Sequence, residues 1–551
     1  MAQPQLKLDT SSLQAGLVLN GRDRQHPYQT TTPELHYTSL DGVHFTRGLY
    51  GKERMSATNT DLGDGWGHIM AISEMHFKKP YTAEELTPYI RSAWIKARFM
   101  APWIAVRTSS QPNAPPNSYM FTYKRSSGPE EAEAWADETI VWRKETKTLN
   151  EWEVEMKERH WKPCAGRFGL EMHLAKGSMG SGHDWFLMFT CPHWTSDGRG
   201  LFPVAERMFR ILYGEMDRTD TTSYASLRWG EEVNRLPPTT IRTIPDVGAE
   251  TPKTPSLLSP RQFVRPSLKV RFFTGVEGLQ ETVSLSPTET KSLNLLCKRY
   301  HISMTSAINS VLLLAELETM LRSVSTLTPA QQQRVLKSFK DAQICNVTVN
   351  IADMRTSISP YFAKRLGDCG TGGLVNIGFP TKHDMNFIRQ CLHIGNDGRV
   401  HKNLSPSSFW EGVASDTQAA LKEGSRVKPH QYHLVSNTVE QMAPKVNGFV
   451  MSAPGIMSSS LGDVEKLGWF TKYSPLYADK YPDSEFTIRD LRFGMRTVNS
   501  AARVVHAWQY NGRLNVNIQG SRRWQTQESW NMFLELVREN FQDTVAFKSA
   551  L

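Results

Sequence analysis

The stretch CPHWTSDGRG, residues 191–200, follows an apolar run and places a histidine four residues ahead of an aspartate and a glycine. His193, Asp197 and Gly198 are therefore either a base with the residues that hold it, or a loop that contains those letters by accident. Accident is a serious competitor. With 16 histidines in 551 residues, about one His-x-x-x-Asp arises without any functional cause. A second copy does occur at His393 and Asp397, and it too continues Gly398-Arg399.

Setting separates the two. The second copy lies in NFIRQCLHIGNDGRVHKN, where an apolar strand enters Asn396-Asp397-Gly398 and leaves again. That is a hairpin signature, because Asn, Asp and Gly tolerate positive φ. The first copy follows DWFLMFTC (184–191), a strand, and runs into LFPVAERMFRILYGEM, whose Val204, Met208, Ile211 and Leu212 form one apolar helical side. His193 is thus expected at a strand end entering a helix, where clefts form. A neutral imidazole there can take a proton from an alcohol near neutral pH, while a carboxylate beside it can lock the loop by pairing with an arginine. Spacing alone leaves the plain loop reading open.

Composition narrows the field. The chain is 39% hydrophobic and 22% charged, an ordinary globular make-up that is long enough for several domains. Its net charge of +9 is spread among acidic residues with no run of five like charges, so nucleic acid is not expected as a partner and a polyanionic small ligand fits as well. The start, MAQPQLKLDTSSL, lacks the apolar core of a signal peptide, and no run approaches a membrane span; a soluble, cytoplasmic protein is expected. The six cysteines show no paired spacing and read as reduced thiols, and no metal-ligand pattern appears. The glycines of CGTGG (369–373) precede LVNIGFP, a strand, so they do not read as a nucleotide fingerprint.

A Pro-, Thr- and Ser-rich tract from about 217 to 265 divides the chain, giving an N-terminal half (1–217), a linker (218–265) and a C-terminal half (266–551). In the first half GHIMAISEMHF (67–77) reads as a strand, TAEELTPYIRSAWIKARFM (82–100) as a helix with a Thr82/Glu85 capping box, and FGLEMHLA (168–175) as a strand. In the second, LKVRFF (268–273) reads as a strand, PTETKSLNLLCKRYH and ISMTSAINSVLLLAELETML as helices, NVTVNIADMR (346–355) as a strand, and SSFWEGVASDTQAALKEG as a helix. NGFVMSAPG and the SSSLG after it read as strand and turn. RVVHAWQYNGRLNVNIQGS (503–521) is a hairpin with Asn511-Gly512 at its tip, and TQESWNMFLELVRENFQ a closing amphipathic helix. Strands alternating with helices in both halves make the fold α/β or α+β.

With those features assembled, the chain resembles the chloramphenicol-acetyltransferase-like superfamily of CoA-dependent acyltransferases, which carry H-x-x-x-D-G and include BAHD-type enzymes and peptide-synthetase condensation domains. RFMAPW after the early helix, ISMTSAINSVLLLAEL, the D-x-R of Asp353-Met354-Arg355, SSSLGDVEKLG (458–468) and the last hairpin and helix are similar to the family's elements and follow its order. The resemblance implies two chloramphenicol-acetyltransferase-like domains, each a mixed sheet flanked by helices, with a tunnel between them. It implies that His193 is the general base, that Asp197 and Gly198 support the loop with Arg355 as the aspartate's partner, and that Ser459 or Ser460 supplies an oxyanion or CoA contact. By residues alone, Asp353 and Arg355 could be a surface pair and the serines an ordinary loop.

Pro192 stands where condensation domains carry a further histidine, and Asp490-Leu491-Arg492-Phe493-Gly494-Met495 stands where plant BAHD enzymes carry Asp-Phe-Gly-Trp-Gly. Within the superfamily the chain is most similar to fungal secondary-metabolite O-acetyltransferases of the kind that acetylate trichothecenes. This likeness implies a monomeric enzyme with acetyl-CoA or another acyl-CoA as co-substrate, no tightly bound cofactor and no metal, and a small-molecule alcohol as acceptor, such as a trichothecene sesquiterpenoid. The alternative is a non-catalytic or carrier-protein-binding condensation-like module.

Overall fold

A computed structural model describes residues 35–177, 182–218, 220–246, 248, 260–263, 277–367, 372–448 and 451–547. The LKVRFF segment and Cys369 lie outside the described residues.

Two mixed sheets organise the chain. The first is built on β1 (Ile69–Phe77), β2 (Ile140–Arg143), β3 (Glu171–Lys176) and β4 (Asp184–Cys191), ordered β1-β4-β3-β2 with only the β3–β2 pair parallel. Seven of the eight β4 residues are buried, as a continuous apolar run in a central strand requires. Helices α1 (Lys52–Leu62), α2 (Ala83–Met100), α3 (Leu149–Glu158) and α4 (Gly198–Met216) accompany this sheet. The Thr82/Glu85 capping box forms at the start of α2, each partner satisfying a backbone N–H that the first turn leaves open.

The second sheet carries β5 (Gly278–Ser284), β6 (Ile344–Asp353), β7 (Asn376–Asp384), β8 (Met451–Asp463), β10 (Ser500–Tyr510) and β11 (Arg513–Ser521), ordered β7-β6-β8-β10-β11-β5. Its back packs on α5 (Met304–Arg322) and α6 (Gln527–Ala546) through Val311, Val505, Val516 and Phe533. The apolar α5 segment is long enough to cross a bilayer, and 89% of its apolar window is buried in this core. At the β10–β11 tip, Asn511 and Gly512 have φ of 49° and 70°, the geometry that an Asn-Gly turn supplies.

Three elements differ from the sequence reading. The stretch leading into the His393 hairpin is a helix, Met385–Cys391, with only Leu392–Ile394 extended, because Asp384 caps a helical turn there. Met451–Asp463 is one 13-residue strand, not a strand followed by a turn. Register shifts between Met451 and Gly455 and between Ser460 and Gly462 take up the glycines as irregularities within the strand, with both glycines at positive φ. The stretch from Asp490 to Met495 belongs to β9 (Phe486–Met495), which leaves the C-terminal half and pairs antiparallel with β1 as the edge of the N-terminal sheet. The two sheets are therefore crossed by one strand. Between them the linker holds short turns at Ser223–Ser226, Glu231–Arg235 and Thr240–Thr243.

Candidate active site

β4 ends at Cys191 because Pro192 has no N–H to continue the ladder. The chain then turns tightly: Thr195 donates its backbone N–H and its hydroxyl to the Pro192 carbonyl at 3.0 and 2.7 Å. The Trp194 indole is anchored to Thr108 Oγ1 at 2.9 Å. Asp197 follows as the N-cap of α4, accepting from the Gly200 N–H at 2.9 Å. The loop is thus held at three points before any partner from the C-terminal half is counted.

Asp197 is buried and both of its oxygens are occupied. Arg355 donates to Oδ1 at 2.7 Å and to Oδ2 at 3.3 Å, and Asn376 Nδ2 donates to Oδ2 at 3.0 Å. Burial works to raise the Asp197 carboxyl, but the Arg355 guanidinium and its hydrogen bonds outweigh it and hold the group below the ordinary carboxylate range. Arg355 also bonds Asp353 Oδ1 at 3.0 Å, so the D-x-R pair folds back on itself to meet the loop.

His193 is not hydrogen-bonded to Asp197. Its Nδ1 lies 2.8 Å from the Ser196 carbonyl, which can only accept, so in the neutral ring Nδ1 carries the proton and Nε2 keeps the lone pair. Among the described residues no hydrogen bond reaches Nε2. Burial lowers the His193 pKa and the Lys52 ammonium lowers it further, against the opposing pull of the Ser196 carbonyl and the Asp197 charge. The imidazole is kept as a base at neutral pH.

Gly198 does not supply a positive φ. It opens α4, and its need for no side chain comes from close approach: a Cβ there would meet Phe493 Cζ at 2.8 Å and Leu461 Cδ2 at 2.9 Å. Gly67 does have a positive φ, of 85°, and passes beside His193.

The serine candidates separate by strand face. Ser460 meets Thr305 Oγ1 of α5 at 3.2 Å, on the side turned away from the N-terminal half. Ser459 lies on the same face as Met457 and Leu461, which pack into the N-terminal core, and pairs in register with His506.

Three residues escaped the sequence reading. Lys52 donates from Nζ to the Asn376 carbonyl and to Oδ1 at 2.6 and 2.8 Å, and burial lowers its pKa to about 8. Asn376 thereby joins Lys52 to Asp197. His506 lies on the C-terminal sheet wall, its ring edge-on to Phe493 at 4.9 Å. Neither Lys52 nor Asn376 lies near a recognisable motif, and His506 is one alternating letter in a strand. A cavity of about 390 Å³ opens beside Arg355, lined by Arg199, Arg207 and Arg210 together with the acidic Glu206 and Asp353. Among the described residues no cluster of His, Cys, Asp or Glu is placed to hold a metal ion.

Two sheets joined by a linker, with H-x-x-x-D-G at the end of a central strand of the first, define the two-domain chloramphenicol-acetyltransferase-like fold. The similarity is one of structure: no family model matches the sequence, and no curated protein matches it. Among solved structures, the chain is similar to TRI3, a trichothecene 15-O-acetyltransferase from Fusarium sporotrichioides, with a TM-score of 0.70 at 14% identity over 93% of this chain and 98% of that one. It is similar to TRI101 of F. sporotrichioides, solved with coenzyme A and T-2, with a TM-score of 0.51 at 10% identity over 86% of this chain and 95% of that one. The condensation domain of the Monacolin K polyketide synthase MokA gives 0.50 at 9% identity over 91% and 97%.

Proposed function

We infer that the protein is an acyl-CoA-dependent O-acyltransferase, with acetyl-CoA as donor and a hydroxyl of an apolar secondary metabolite, such as a trichothecene sesquiterpenoid, as acceptor. The observation that carries this reading is the His193 ring, whose Nδ1 is tied to a backbone carbonyl while Nε2 keeps its lone pair. Nε2 takes the proton of the acceptor hydroxyl as its oxygen attacks the thioester carbonyl. The new C–O bond gives a tetrahedral oxyanion, for which Ser459 is the better placed of the two serines. The C–S bond then breaks, and the CoA sulfur receives the proton back from His193. Asp197 takes no part in proton transfer, since its oxygens are committed to Arg355, Asn376 and the helix cap. The arginine-lined cavity beside Arg355 supports a polyanionic co-substrate. Thiols at Cys164, Cys191, Cys297 and Cys391 fit a cytoplasmic enzyme, which we take to act as a monomer.

The competing reading is a condensation-like module that binds a carrier protein and turns nothing over. Release of free CoA thiol from acetyl-CoA, monitored with a sesquiterpenoid alcohol and without it, separates the two: alcohol-dependent release with formation of the ester is expected. Its absence across a panel of alcohols and acyl-CoAs would sink the acyltransferase reading.

A further inference from the structure

A chain of buried polar side chains runs along the C-terminal sheet wall and ends at His506. It begins at Glu153 on α3, which is 5% exposed. Glu153 Oε1 accepts from Gln280 Nε2 at 2.6 Å, from Thr282 Oγ1 at 3.0 Å, and from Asn517 Nδ2. Asn517 Oδ1 accepts from Gln519 Nε2, and Gln519 Oε1 lies 3.2 Å from His506 Nδ1.

This chain has a direction, set by its first member. A Glu153 oxygen that already takes donors from Gln280 and Thr282 meets Asn517 through its amide N–H, which turns the Asn517 oxygen outward. That oxygen requires the N–H of Gln519, which turns the Gln519 oxygen to His506. His506 Nδ1 must therefore be the protonated nitrogen, and Nε2 is left as an acceptor. Burial and the neighbouring His193 keep the ring neutral, pushing its pKa down to about 3. Position follows from three neighbours. His506 shares its strand face with Ser459, its ring stands edge-on to Phe493, and Phe493 itself presses on Gly198 beside the catalytic loop.

We propose that His506 is a specificity-determining residue whose Nε2 accepts a hydrogen bond from a second hydroxyl of the acceptor, so that the preferred substrates are diols or polyols. The proposal rests on the acyltransferase reading. Two imidazoles on facing walls, each with a bare Nε2, call for two O–H donors: one gives its proton to His193 and reacts, the other stays bound to His506. An acceptor without the second hydroxyl leaves a buried lone pair unmet, which weakens reaction by about 10- to 100-fold.

The test compares kcat/KM for a sesquiterpenoid diol and its matched mono-alcohol with acetyl-CoA, in the unsubstituted protein and in His506→Phe and Gln519→Leu. The unsubstituted protein is expected to favour the diol by at least about tenfold. His506→Phe should collapse that ratio, and Gln519→Leu should shrink it. Equal losses for both alcohols, with the ratio intact, would assign His506 a purely structural role; a change confined to the KM of acetyl-CoA would place it at the donor instead. Either result overturns the proposal. Long-range proton–nitrogen spectra of histidine-labelled protein give a second readout, in which His506 should be the Nδ1–H tautomer; the Nε2–H tautomer would overturn the proposal without any activity measurement. Failure of the parent reading looks different, since no alcohol would then be turned over at all.

Discussion

Residues 193–199 and 393–399 share the letters His-x-x-x-Asp-Gly-Arg, yet they make different objects. In the first, the aspartate caps a 19-residue helix and receives Arg355 from across the chain, while the histidine's Nδ1 is tied to the Ser196 carbonyl. In the second, strands Leu392–Ile394 and Val400–Lys402 close a hairpin in which Asp397 accepts the Arg399 N–H at 3.0 Å and Gly398 turns with φ 75°. His393 is exposed and stacks on His401. The difference lies in what surrounds the letters. A carboxylate in a turn has water and its own backbone, so it has nothing to organise; a carboxylate under a central strand must have every lone pair met from the protein, and the groups that meet it fix the loop.

Paired substitutions put that contrast at risk. The largest effect is expected at the histidines: His193→Ala should lower kcat by about 10²- to 10⁴-fold, the range of a lost general base, while His393→Ala leaves turnover within twofold, as thiol release would report. Equal loss at both positions would erase the distinction. Next come the aspartates. Asp197→Ala removes one of the two carboxylates that hold Arg355, together with the acceptor of Asn376 and the α4 cap, and should cost about 3–5 kcal/mol in denaturant unfolding, whereas Asp397→Ala should leave the melting curve where it was. The sign of the pH dependence follows from the lowered Asp197 pKa. Its contribution is complete above the unfolded carboxylate's pKa near 3.8 and is lost as pH falls through the lower folded value. Acid unfolding of the unsubstituted protein should therefore begin at lower pH than that of Asp197→Asn.

The glycines differ in kind. Gly198→Val drives a side chain into Phe493 and Leu461 and should cost about 1–3 kcal/mol; Gly398→Ala meets no atom within 4 Å and should cost about 1 kcal/mol, from its left-handed φ alone. The smallest effect is electrostatic. With His193 as the neutral base proposed above, the acidic limb of kcat/KM should fall below pH 6.5, the ordinary histidine value. Lys52→Met should move that limb upward by a fraction of a pH unit, since the ammonium helps to keep the proton off. A downward move would remove Lys52 from the site's electrostatics.

What the sequence made legible was local. The Thr82/Glu85 box, the Asn511-Gly512 tip, the His393 hairpin and the strand–loop–helix around His193 each depend on residues a few positions apart, so their signals are complete within a short window. The α/β class followed from the same windows in order. Illegible were features that join distant positions. Nothing in YGKERM or LVNIGFP announces that Lys52 and Asn376 meet, and β9 could not be assigned to the N-terminal sheet because its partner β1 lies in the other half. The glycines of Met451–Asp463 are punctuation in isolation, which favours strand and turn, and become bulges once both neighbouring strands are present. Ser459 and Ser460 are adjacent letters, and only a strand's alternation tells which one looks at α5.

The strand that crosses between the halves also bears on how the molecule is made. The N-terminal sheet reaches its full width only when Phe486–Met495 joins β1, and roughly 400 residues separate Phe77 from Met495. At about 5–20 residues per second, a ribosome takes about 20–80 s to supply that last strand. Throughout this interval the apolar edge of β1 stands without its partner, and an open edge of this kind invites pairing with other chains. Shielding of that edge during synthesis therefore bears on how much folded protein a cell recovers, beside the stability of the finished molecule.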